Sequence, residues 1–307
     1  IDFSLPKAQI RLNLHSTVAN ENAQTRVLTM LMTQIVNDNL GSYSFDAKIA
    51  GLDYKLESTI DGLSVYFTGY NDKQTALINA VTQAIVNFDV DQAGFDLAKE
   101  HLLTTLTNRR FASPLNQVFS ELNLYFGEES FETESLKNAL GRSSLKDVKG
   151  FAKKFLSSAT IEGFNHGNIT AQESKELALF LASSFKNSLL LESNVVKKNG
   201  KKLPQANEIE IDVSNNDSAL LVAYTLPRTT DNTSTALLLT HMLKGSFFTE
   251  LRTKQQVGYS VGVTSRIRGE VPTLVFYIQS PSITPTELKE RVDAYLLAQQ
   301  KVFSTMD

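Results

Sequence analysis

The chain contains no cysteine. Disulfide scaffolding, thiolate metal sites and cysteine nucleophiles are excluded together. The redox compartment stays open, because a core of this size needs no disulfide in any environment. Histidine is scarce too. The four are His15, His101, His166 and His241, and the closest pair, His101 and His166, is 65 positions apart. A metal-binding helix of the H-E-x-x-H type, or its inverse H-x-x-E-H, needs histidines four apart, so neither motif is present. Glu100 and His101 are adjacent, and neighbours on a helix point about 100° apart, which is poor geometry for a shared metal. His241 has neither a second histidine nor an acid at metal spacing and reads as a core or boundary residue. There is no G-x-S-x-G elbow, P-loop, dinucleotide fingerprint or EF-hand loop. No apolar run approaches the ~20 residues that cross a bilayer, and no basic segment followed by an apolar one opens the chain. The net charge of −3 gives no general attraction to nucleic acid or an anionic membrane.

What is present is a globular composition, 42% hydrophobic and 21% charged, over 307 residues, which is long enough to suggest two domains. Ile10, Leu12 and Leu14 alternate with Arg11, Asn13 and His15, predicting a half-buried strand with His15 on its polar face. Leu28, Leu31, Met32 and Ile35 follow helical spacing. Two strands around Tyr54–Ser58 and Leu63–Phe67 flank Asp61-Gly62, a hairpin signal. Helices are expected capped by Asn71 or Asp72, capped by Asp91, and opening at Pro114. A strand over Thr160–Gly167 then leads into a helix capped by Thr170 with Glu173. The run from Glu192 to Gln205, with Lys197, Lys198, Lys201 and Lys202, has no apolar period and reads as a linker.

Beyond it the same order restarts. Strands are expected over Glu208–Val213 and Ala219–Leu226, and a helix capped by Asp231 or Thr233. A hairpin follows from Gly258–Thr264 and Thr273–Gln279, then a helix capped by Thr284. The two copies align by hand: Ala50-Gly51 on Val257-Gly258 and Asp61-Gly62 on Arg268-Gly269, both at an offset of 207. The expected organisation is one α+β domain over residues 1–191, a linker over 192–205, and a second, incomplete copy over 206–307. Each copy is expected to be a mostly antiparallel sheet with helices packed on one face.

Several short segments carry a family resemblance. Phe248-Thr249-Glu250-Leu251-Arg252-Thr253-Lys254-Gln255-Gln256-Val257-Gly258-Tyr259 resembles the F-x-x-L-R-T-x-x-Q-x-G-Y segment of the pitrilysin/insulysin group of M16 zinc peptidases. Gly69-Tyr70-Asn71-Asp72-Lys73-Gln74, His166-Gly167-Asn168-Ile169-Thr170 and Ile278-Gln279-Ser280 resemble further segments of that group, in the same order. The resemblance implies a clamshell of two homologous halves, each of two M16 peptidase-like α+β domains, closing on a peptide chamber. The zinc motif belongs to the N-terminal half, and this chain would be most of the C-terminal half. Zinc would be the cofactor of the whole enzyme and not of this chain. The implied partners are peptide substrates and the N-terminal catalytic half, with no nucleic acid and no membrane. Arg252 and Tyr259 are implied as donors to the scissile carbonyl, with Phe248 lining the pocket for the residue after the cut. From the pattern alone Tyr259 shares a strand face with Val261 and Val263 and is equally a core residue. The competing function classes are a non-catalytic scaffold subunit of the same fold and a free-standing peptide-binding module.

Overall fold

The computed structural model describes residues 5–126, 131–185, 207–268 and 271–305. The chain divides into two compact units, Ile1–Thr107 with Ser130–Lys197, and Asn108–Glu129 with Lys198–Asp307. The expected linker over 192–205 lies outside the described residues.

In the first unit β1 (Lys7–Ser16) is followed by α1 (Ala23–Asn39), α2 (Gly41–Ile49) and the hairpin β2 (Leu52–Thr59) and β3 (Gly62–Tyr70). After these come α3 (Gln74–Val86) and α4 (Gln92–Asn108). The next helix, α5 (Pro114–Phe126), belongs to the second unit. The first unit resumes with α6 (Thr133–Arg142), α7 (Leu145–Ser157), β4 (Ala159–Gly167) and α8 (Ala171–Ser184). The sheet is antiparallel, in the order β2-β3-β1-β4. Ile10, Leu12 and Leu14 point into the core with Leu63, Val65 and Phe67, as the two-residue alternation requires. The opposite face is polar: Glu162 Oε2 accepts from Asn13 and meets His15 Nε2, both at 3.3 Å.

Helix starts follow side-chain chemistry. Asn22, Ser144 and Thr170 each accept from the backbone three residues on, in reciprocal capping boxes that satisfy amides otherwise left unpaired at a helix N-terminus. Asp91 accepts from the Gly94 N–H, whereas α3 enters through a 3₁₀ turn at Asn71–Lys73 with no side-chain cap.

The second unit holds β5 (Ser218–Thr225), α9 (Thr230–Phe247), a π-helical turn (Phe248–Lys254), β6 (Ser260–Arg268), β7 (Val271–Ser280) and α10 (Pro285–Phe303). Its strand order, β5-β7-β6, repeats β1-β3-β2 of the first unit, again antiparallel throughout. Thr229 and Asn22, the N-caps of α9 and α1, stand 207 apart. Leu274, Phe276 and Ile278 face Leu243, Phe247, Leu288 and Val292. Phe247 sits edge to face on both Phe276 and Tyr295 at 5.2 and 5.1 Å, contacts that add about 0.5–1.5 kcal/mol each to the burial of the ring.

Three expectations change. Glu208–Val213 alternates like a strand but is not one: it has no ladder partner among the described residues. The cap of α9 is Thr229, accepting from Asn232 N, rather than Asp231 or Thr233. Residues 108–126, expected within the first domain, fold with the second sheet. There α5 covers the face opposite α9 and α10, with Phe119 edge to face on Tyr277 at 5.6 Å and the Arg266 guanidinium 4.6 Å from the Phe119 ring centroid. This sheet therefore carries helices on both faces.

Candidate functional site

The segment from Phe247 to Tyr259 turns α9 into β6. Phe247 and Leu251 are fully buried, four residues apart. The next residues at the same spacing, Phe248 and Arg252, form the adjoining stripe. Phe248 is 47% exposed and Arg252 partly so. The wider i→i+5 winding of the turn, seen in Gln255 N–H to Glu250 O at 3.0 Å, is a local departure from the α-helix of the kind that recurs at functional sites. Arg252 has no hydrogen-bond or salt-bridge partner among the described residues, in contrast to Lys254, which pairs with Glu250 at 2.9 Å. The exit is sharp. Gln256 adopts φ 53°, Val257 N–H returns to Leu251 O at 3.0 Å, and Gly258 passes against the backbone of β7. A Cβ on Gly258 would stand 2.2 Å from Gln279 O, so no side chain fits there without moving the strand.

Tyr259 lies one residue before β6 and is 53% exposed, while Val261 and Val263 are buried. The alternation that makes Tyr259 a core residue stops short of it. Its backbone N–H donates to Gln279 O at 3.2 Å and its hydroxyl to Asp217 Oδ2 at 2.5 Å. Gln279 Nε2 donates to Asp217 Oδ2 at 2.9 Å and to the Tyr259 hydroxyl oxygen. Gln279 Oε1 accepts from the Leu115 N–H of α5 at 3.3 Å. Asp217 directly precedes β5, Tyr259 directly precedes β6, and Gln279 is near the end of the antiparallel β7, so the topology brings all three to one end of the sheet. The phenol is harder to ionise than usual, first because its hydroxyl bonds the Asp217 carboxylate, then through desolvation and the carboxylate's charge. Asp217 is held below the ordinary carboxylate range by the hydrogen bonds of Tyr259 and Gln279.

Sequence reasoning singled out Phe248, Arg252 and Tyr259 and missed the roles of Asp217 and Gln279. Gln279 was visible as part of Ile278-Gln279-Ser280; Asp217 sits in a polar turn with no signal of its own. The open groove of about 560 Å³ in this unit runs between the other side of the π turn and α10, lined by Ser246, Glu250, Lys254, Tyr295 and Gln299, and includes none of the three predicted residues.

No three of His, Cys, Asp and Glu converge into a metal site among the described residues. His101 and Glu100 are exposed on α4, and His15 is engaged by Glu162. His241 is exposed on α9, not the core or boundary residue expected from the sequence. The described residues offer no ligand set that fits a resident zinc ion. No helix among the described residues is long and apolar enough to cross a membrane.

Residues 1–139 match the middle or third domain of peptidase M16, and residues 238–307 match a PQQ synthase PqqF-like C-terminal lobe domain 4. Insulin-degrading enzyme of Homo sapiens is 30% identical over 320 residues, covering 99% of this chain and 30% of the relative. The peroxisomal insulin-degrading enzyme-like 1 of Arabidopsis thaliana is 26% identical over 306 residues, covering 96% of this chain and 32% of the relative. Among solved structures, pitrilysin superposes with a TM-score of 0.81 at 21% identity, over 99% of this chain and 32% of that one. A peptidase M16 inactive domain from Pseudomonas fluorescens superposes with a TM-score of 0.70 at 14% identity, over 96% and 74%. The chain thus spans about a third of the length of these curated relatives. The chain belongs to the M16 peptidase family, in the pitrilysin/insulysin group, and corresponds to its C-terminal half.

Proposed function

We propose that this chain is the substrate-binding, non-zinc half of a zinc metalloendopeptidase that degrades peptides in an enclosed chamber. Peptide hydrolysis places negative charge on the scissile carbonyl oxygen, and donors aimed at that oxygen lower the barrier. Arg252 supplies a guanidinium and Tyr259 a phenol hydroxyl, and Phe248 lines the pocket for the residue after the cut. The metal, which supplies Lewis-acid activation of the attacking water, is held by the N-terminal half. The observation that carries this reading is the Arg252 guanidinium: partly exposed and unpartnered among the described residues, on a π turn anchored by buried Phe247 and Leu251. A cation held on a rigid support without a counter-ion is suited to a charge that appears only during reaction.

The test is Tyr259→Phe in the protein that carries both halves, because it deletes the donor and keeps the ring. The expected result is a fall in kcat of roughly a hundred- to thousandfold with KM little changed. Cleavage at the normal rate with an unchanged Tm overturns the catalytic role. Retained activity is also what the scaffold reading requires, so one measurement separates the two.

A further inference from the structure

Tyr259 is an exposed phenol whose hydroxyl nevertheless both donates and accepts. A hydroxyl has one proton to give and lone pairs to receive. The proton goes to Asp217 Oδ2, and a lone pair is taken by Gln279 Nε2. Gln279 is 3% exposed and its carboxamide orientation is fixed at both ends: Oε1 receives the Leu115 N–H, while Nε2 faces the Asp217 carboxylate and the phenol oxygen. Flipping the amide sets N–H against N–H at Leu115 and oxygen against carboxylate at Asp217, so a single orientation satisfies every group. Burial of Gln279 between the sheet and α5 leaves this amide no water to fall back on.

We propose that Asp217 and Gln279 are positioning residues for Tyr259, a clamp that aims its oxygen, with Leu115 of α5 setting the orientation of the amide. The proposal rests on the reading of Tyr259 as a donor to substrate. It gives that donor a resting partner. Because the phenol has one proton, it leaves Asp217 when it turns to the substrate oxygen, and the Gln279 bond keeps the oxygen in place meanwhile.

The two partners act on the phenol in opposite senses. Asp217 accepts the proton and its charge opposes a phenolate, which holds ionisation up. Gln279 donates to the oxygen and so favours the phenolate. Asp217 supplies the charge. Gln279 of β7 and the Leu115 amide of α5 are neutral, and Arg266 of β6 stacks on Phe119.

The experiment is a pH titration of the chain carrying tyrosine labelled with ¹³C at Cζ, with Tyr259→Phe assigning the resonance. Asp217→Asn is expected to lower the Tyr259 titration toward the ordinary value of about 10. Gln279→Met, which keeps the length and buried volume, is expected to move it further up. Loosening of the site alone sends both variants toward the ordinary value, and that outcome overturns the clamp, as does an Asp217→Asn titration identical to wild type. Circular dichroism spectra matching wild type establish that both variants are folded. The readout needs no peptidase activity. If the titrations move as expected but Tyr259→Phe cleaves peptides normally, the clamp stands and the catalytic reading falls.

Discussion

Gly258→Ala tests how tightly the site is built. The added Cβ would stand 2.2 Å from Gln279 O and 3.0 Å from Gln279 C, with Ile278 Cγ2 at 3.2 Å. The first two are backbone atoms of the central strand β7 and cannot rotate away, so β6 must withdraw from β7 by roughly 1 Å at its first residue. Overpacking of this kind costs about 1–3 kcal/mol. The ladder bond from Tyr259 N–H to Gln279 O, already 3.2 Å long, is lost with it at about 1 kcal/mol more. The expected destabilisation of the second unit is thus about 2–4 kcal/mol. Hydrogen exchange read by mass spectrometry locates it: peptides from β6 and β7 lose protection, and peptides from β1 and β3 keep theirs. The same shift carries the phenol away from Asp217. On the proposed role of Tyr259, a misplacement of about 1 Å costs on the order of a hundredfold in cleavage rate. Wild-type protection in β6 and β7, with the Tyr259 titration unmoved, refutes the close approach on which the site geometry depends.

Two further outcomes follow from the repeat and from the carboxylates. At the offset of 207, Leu31 of α1 corresponds to Leu238 of α9; the first is fully buried and the second 59% exposed. Leu31→Ala should therefore cost about 2–5 kcal/mol in urea unfolding, whereas Leu238→Ala should stay within about 0.5 kcal/mol of wild type. Asp147, Glu162, Glu173, Asp217 and Glu287 all have folded pKa values below their ordinary ones, each led by a side-chain or backbone hydrogen bond. Depressed carboxyl pKa values add stability above the unfolded value of about 4, and that stability disappears as pH falls through the folded values. Tm should hold on descending to about pH 5 and drop below about pH 4, and a Tm that rises on acidification contradicts these hydrogen bonds.

What could be read from the sequence, and what could not, divides by range. The β1 alternation, the Thr170 capping box and the Thr284 and Asp91 caps depend on residues within a few positions of each other, and each forms as read. The offset of 207 extended this reach, because a repeated order of elements implies a repeated strand order. Glu208–Val213 shows the limit. Ile209, Ile211 and Val213 alternate as a strand does, yet a strand exists only with a partner, and pairing is set by the whole sheet. The cap of α9 was missed for a smaller reason: Thr229, Thr230, Asp231 and Thr233 are all competent caps, and backbone geometry selects Thr229, which sits in extended conformation at φ −144°.

The fate of α5 and that of Tyr259 share one cause, and it bears on how the site works. An amphipathic helix declares that it has an apolar face but not which sheet will cover it. Val118, Leu122 and Phe126 specified a helix from Pro114; the contact of Phe119 with Tyr277 assigns that helix to the far face of the second sheet. Its first turn then supplies the Leu115 amide that orients Gln279. Tyr259, for which alternation left a core position open, is instead exposed at the sheet end, bonded to Gln279 and Asp217. Arg252 and Phe248 lie on a turn held by its own local bonds, whereas the Tyr259 hydroxyl meets Asp217 and Gln279, and Gln279 is in turn bonded by Leu115, 164 positions away in sequence. Substitutions in the first turn of α5 should therefore reach Tyr259 while leaving the π turn untouched. Leu115→Pro removes the one N–H involved, at a second helical position where φ already suits proline. It should displace the Tyr259 titration as Gln279→Met does, with little change in the hydrogen exchange of Phe248–Lys254; exchange altered across the turn instead would show that α5 supports the fold at large and not the phenol in particular.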